Sequence, residues 1–174
     1  MTLLLYLVLG AFAGVMAGLL GVGGGLIIVP ALVWIFRGQG MNDAIIMHLA
    51  IGTSLATIVV TSISSVRAHH RRGAVLWPVF WQLTPGIVVG AWLGAAVADA
   101  LSSLALQKVF ALFVLAMSAQ MGFGAKPAPH RNLPETIGMI AVGGMIGTVS
   151  AIVGIGGGSL TVPFLTWCNV SIRQ

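Results

Sequence analysis

Acidic residues are nearly missing from this chain: three Asp+Glu stand against eight Lys+Arg in 174 residues, and charged residues make up only 6%. A soluble domain carries about 25% charged residues because its surface must stay in water, so a soluble globular fold is excluded. Disorder needs high charge and low hydrophobicity, and 58% of this chain is hydrophobic. Cysteine is reduced to Cys168, which excludes an intramolecular disulfide and a thiolate metal site. The three carboxylates, Asp43, Asp99 and Glu135, lie near the ends of apolar runs and form no acid–base cluster. Ser54 has no candidate base except His48, six positions away and off its helix face. No glycine cluster ends in Gly-Lys-Ser/Thr or carries the dinucleotide spacing. An enzyme is therefore not expected, and neither is a cofactor. The basic residues sit between apolar runs instead of clustering on one solvated face, so nucleic acid is not an expected partner.

What is abundant is uncharged sequence. Stretches without charge run Thr2–Phe36, Ala44–Val66, Gly73–Ala98, Val109–Ala125 and Thr136–Ile172. About 20 apolar residues in a helix cross the hydrocarbon core, and backbone groups in lipid must be paired internally. The expectation is an all-α, polytopic helical membrane protein with at least five crossings, placed multi-pass in a plasma membrane (the bacterial inner membrane), with the bilayer itself as a partner. Residues 3–13 resemble a signal peptide's apolar core and cleavage site, but no Lys or Arg precedes them, so the segment reads as a first span. Arg67, Arg71, Arg72, Lys126 and Arg131 outnumber Arg37, Lys108 and Arg173, which favours a cytoplasmic N-terminus by the positive-inside rule. The cluster Arg67–Arg72, expected in the loop after the second span, reads as a cytoplasmic anchor, with an attractor for anions at the cytoplasmic mouth as the alternative.

Self-comparison gives an internal repeat. Residues 14–34 align with 147–167 at a constant offset, matching Gly14, Gly21, Gly23, Gly24, Gly25, Val29, Pro30, Leu32 and Trp34. This predicts two parallel halves, residues 1–133 with four spans and residues 134–174 as the start of a second, with the chain a piece of an eight-span protein. The first and fifth stretches are too long for one simple helix and are expected to break at their glycine clusters. Glycine permits such unwinding, and the half-helix that follows offers backbone N–H groups and a positive dipole end to an anion. Stripes at four-residue spacing, Gly10-Gly14-Gly18 and Gly86-Gly90-Gly94, read as helix-packing faces.

Gly21-Val-Gly-Gly-Gly25 with Pro30, its copy Gly154-Ile-Gly-Gly-Gly158 with Pro163, and Ile51-Gly-Thr-Ser54 together resemble the TauE/SafE family of membrane transporters and sulfite exporters. The resemblance spans the whole chain, about two thirds of a typical member. It implies movement of small sulfur-containing anions, such as sulfite or sulfonates. The expected substrate-binding residues are Gly21, Gly23, Gly24, Gly25, Thr53, Ser54, Gly154, Gly156, Gly157 and Gly158, with His48 as a pathway residue. Thr53 and Ser54 have the alternative of bonding back to their own helix, and His48 that of a satisfied neutral imidazole. The expected partners are a small anion and either a second copy or a C-terminal half. A non-transporting scaffold or partner-dependent fragment is the alternative function.

Overall fold

The computed structural model describes residues 2–20, 24–73, 75–122 and 134–168, and among them only helices and their connections occur. In chain order the helices are α1 (Thr2–Leu20), α2 (Gly25–Gly38), α3 (Asp43–Arg71), α4 (Trp77–Ala100), α5 (Ser103–Gly122), α6 (Thr136–Val153) and α7 (Gly158–Trp167). Four of these, α3 to α6, are long and apolar enough to cross a membrane, while α1 contributes a shorter apolar segment and α2 another.

Local chemistry sets the ends of α3. Gly40, at φ +73°, turns the chain back after α2, in a conformation glycine adopts without steric cost. Asn42 then caps α3 by accepting the Ala44 N–H at 2.9 Å, and Asp43 occupies the first turn, where the helix dipole favours a negative charge. Across the turn, Arg37 Nε donates to Asp43 Oδ1 at 3.1 Å. At the far end His69, His70 and Arg71 complement the negative pole. The basic cluster expected in a loop is thus largely helical. With 29 residues, α3 reaches about 43 Å, so its cationic end extends past the apolar core. Beyond it, His70, Trp77, Phe80 and Trp81 form a chain of edge-to-face rings, with the basic and aromatic character of a membrane interface.

Two kinds of contact hold the helices. Between α2, α3 and α5 there is an ordinary apolar core: Val29, Leu32 and Phe36 meet Ile46, Met47 and Ile51, with Leu106, Phe110 and Ile155 closing it. Between α4 and α6 there is a seam of bare backbone. Gly86, Gly90 and Gly94 are buried along one face of α4. A Cβ at Gly86 would fall on the Ile140 carbonyl, and one at Gly90 on the Gly144 carbonyl. Reciprocally, a Cβ at Gly143 would meet Leu83 O at 2.5 Å and one at Gly147 would strike Ile87 O. Lipid tails give no hydrophobic reward for helix association, so small residues that bring backbones together supply van der Waals contact instead. Thr148 Oγ1 lies 3.0 Å from Gly90 O across the seam and 2.9 Å from Gly144 O in its own helix.

The α4 stripe therefore packs as its spacing predicted. The equally spaced stripe of α1 does not: Gly10 and Gly14 are exposed, and a Cβ at either would have no described atom within 4 Å. The strip of α1 next to these glycines faces inward, with Ala13 fully buried and Tyr6 Oη accepting from Gln39 at 3.0 Å.

Candidate functional site

Helix α6 ends at Gly154, whose φ of +76° is left-handed. The N–H groups of Gly154 and Ile155 both close onto Ser150 O, at 2.9 and 3.0 Å, the usual way a C-terminal glycine satisfies final carbonyls. After one further turn, Gly157 (φ +73°) becomes the N-cap of α7. L-residues with a side chain rarely adopt that backbone, so glycine is needed at both positions. The first N–H groups of α7 have no intrahelical acceptor and carry the positive end of its dipole.

The carbonyl of Gly154 is the point where three elements meet. Ser54 Oγ donates to it at 2.8 Å. The Gly25 backbone lies so close that a Cβ there would overlap it, and would come within 2.9 Å of Ile155 Cα. Ile51 Cα of α3 approaches the same glycine. The start of α2 and the α6–α7 turn are thus in backbone contact, braced by α3.

Both glycine clusters also open onto one cavity of about 790 Å³. Gly24 and Ile28 line it from α2, Gly156 and Gly158 from the α6–α7 turn, and Gly10 and Gly14 from α1. The fourth wall is a row of α3 hydroxyls, Thr57, Thr61, Ser62 and Ser65. No charged side chain is among these lining residues, so the electrostatics rest on backbone dipoles. The α3 hydroxyls are partly committed: Thr57 donates to Ser54 O at 2.7 Å, Thr61 to Thr57 O at 3.1 Å and Ser62 to Val59 O at 2.8 Å. Outside the cavity lining, Ser159, 5% exposed at the start of α7, and Ser150, in the last turn of α6, each have a buried hydroxyl with no hydrogen-bond partner among the described residues. Buried polar groups are normally paired, and the Ser150 oxygen lies 3.4 Å from where a Cβ on Gly157 would be.

Of the residues expected to bind substrate, Gly24, Gly156 and Gly158 border the cavity. Gly25, Gly154 and Gly157 build the backbone behind it. Ser54 is fully buried and spends its proton on Gly154, while Thr53 is exposed and outside the cavity lining. Gly21 and Gly23 lie outside the described residues. His48 is also apart from the cavity. Its Nε2 is 3.1 Å from both Ala98 O and Leu101 O, where it clamps the C-terminal end of α4 to α3. The α3 row went unread in the sequence although Ser54, Thr57, Thr61 and Ser65 fall on one helical face. Ser159 had no signal beyond its place beside Gly158.

The family model described as sulfite exporter TauE/SafE matches residues 6–174. A protein of Haemophilus influenzae named "Probable membrane transporter protein" is 37% identical over 99% of this chain and 66% of its own length. One of Bacillus subtilis with a name of the same kind is 30% identical over 94% of this chain and 67% of its own. For one of Methanocaldococcus jannaschii the figures are 28%, 98% and 64%. The chain thus spans about two thirds of the length of these curated relatives. No solved structure matches it. With the family model covering nearly every residue and the spanning helices in place, this chain is a multi-pass membrane protein that belongs to the TauE/SafE sulfite exporter family.

Proposed function

We infer that the chain forms the substrate-binding part of a secondary transporter for small sulfur-containing oxyanions, sulfite or sulfonates, in the plasma membrane. The carrying observation is that two repeated glycine clusters, far apart in sequence, meet at the Gly25–Gly154 backbone contact and line a single cavity. The family description supplies the substrate class. A small oxyanion needs several short hydrogen bonds and a positive potential, both of which helix N-termini offer without a charged side chain. The ends of α2 and α7 would provide them, with Ser159 as an uncommitted hydroxyl. Discontinuous helices with sites at the midplane are a known transporter design. In this reading residues 1–133 form one half and 134–174 begin another, each with a span broken at its glycine cluster. The transporter names of the relatives agree with a non-enzymatic role.

The test is sulfite flux into vesicles containing the purified chain, beside the variant Gly158→Leu. Gly158 lines the cavity and no described atom lies within 4 Å of a Cβ there, and a melting curve of the variant checks that it folds. Flux is expected in the native chain and absent in the variant. Equal flux from both sinks the site. The open α1 side of the cavity favours a second reading, in which the chain acts only with a partner. Flux appearing solely when a complementary segment is co-reconstituted would select it.

A further inference from the structure

The α4–α6 seam and the internal repeat together say what belongs on the exposed face of α1. Extending the repeat offset toward the N-terminus places Gly10 on Gly143 and Gly14 on Gly147. Thus α1 is the counterpart of α6. In α6 these two glycines are where the Leu83–Ile87 backbone of α4 lies in contact. In α1 the same two positions are exposed and open, although the helix is held along the neighbouring strip through Ala13 and Tyr6.

Two halves related by a pseudo-two-fold axis make isologous contacts: if element i of one half touches element j of the other, then j of the first touches i of the second. Helix α4 of the first half touches α6, the opening helix of the second. The reciprocal contact joins α1 to a second-half counterpart of α4. We propose that the Gly10–Gly14 face of α1 is the docking surface for a transmembrane helix of α4's kind, apolar and with glycines at four-residue spacing. About a third of the Haemophilus influenzae relative lies outside its match to this chain, which is length enough for such a helix. Because Gly10 and Gly14 border the cavity, the docked helix also walls off its open side. The proposal rests on the two-half reading above and not on the identity of the anion.

The probe is a tagged segment with the sequence of residues 77–100, co-expressed with the full chain, and the readout is its co-purification from membranes. Capture by the native chain is expected. It should fall by about tenfold or more in the Gly10→Leu/Gly14→Leu double variant, since Leu at such positions holds the backbones apart. It should persist in Gly52→Leu, another exposed glycine with open space around it. A melting curve of the double variant establishes that it remains folded. Equal capture by native and double-variant chains overturns the proposal, as does no capture at all. Self-association of the chain that depends on Gly10 and Gly14 overturns it too, in favour of a second copy. Lost sulfite flux with capture intact counts against the anion reading alone.

Discussion

The hydroxyl of Ser54 and the carbonyl of Gly154, 100 positions apart in the chain, are joined by a 2.8 Å hydrogen bond in a fully buried setting. That bond fixes the middle of α3 to the turn between α6 and α7, and so fixes the cavity wall against its floor. It also satisfies a carbonyl that the ended helix α6 leaves behind.

Ser54→Ala removes the donor and leaves that carbonyl buried and unpaired, at a cost of about 1–3 kcal/mol. A lower melting temperature of the purified chain in detergent is expected, with Ser54→Thr recovering part of it. An unchanged melt would mean that the contact contributes nothing to holding the turn.

Gly90→Ala sets a methyl group against the Gly144 carbonyl and is expected to separate α4 from α6, whereas Gly52→Ala, with open surroundings, is expected to be silent. Resistance to thermal aggregation ranks the two. Thr148→Val tests the same seam more gently, and a loss of about 0.6 kcal/mol is expected from an interhelical bond of this type in lipid.

Ser159→Ala carries an expectation of opposite sign for stability and for binding. Deleting an unpartnered buried hydroxyl relieves an unmet desolvation cost, so the free chain melts at the same temperature or higher. Sulfite binding, read by calorimetry, weakens by about tenfold, the worth of one hydrogen bond to a charged group. A destabilised chain with unaltered binding would assign Ser159 to the fold alone.

His48→Ala withdraws the donor shared by Ala98 O and Leu101 O, and about 1–3 kcal/mol of stability is expected to go with it. His48→Gln, which keeps an N–H donor, should restore most of the loss. Flux that disappears in His48→Gln while the melt is unchanged would point instead to a role in the pathway.

Much of this is legible in the residues, and what is not has a common cause. Charge scarcity and uncharged runs point to the membrane class, since lipid tolerates little else. The stripe Gly86-Gly90-Gly94 announces its packing because periodicity survives in one dimension. The identical spacing of Gly10 and Gly14 carries the same expectation, yet those glycines stand open, because spacing says that a face can be approached and not by what. Ser54 reads as a pathway hydroxyl, and only the fold shows its proton committed to a residue 100 positions on. The basic residues through Arg71 read as a loop on charge alone, whereas the C-terminal pole of α3 favours them within the helix.

The seam between α4 and α6 has a mechanical consequence. Side chains that interlock can change rotamer and settle into a second arrangement, but peptide backbone laid on peptide backbone has no rotamers to exchange. Gly86, Gly90, Gly143 and Gly147 therefore hold α4 and α6 by backbone contact, and the pair can change register only by sliding about a full turn to bring the next glycine into place. Any rearrangement that opens the cavity first to one side of the bilayer and then to the other falls to joints made of side chains, among them the one between α2 and α3.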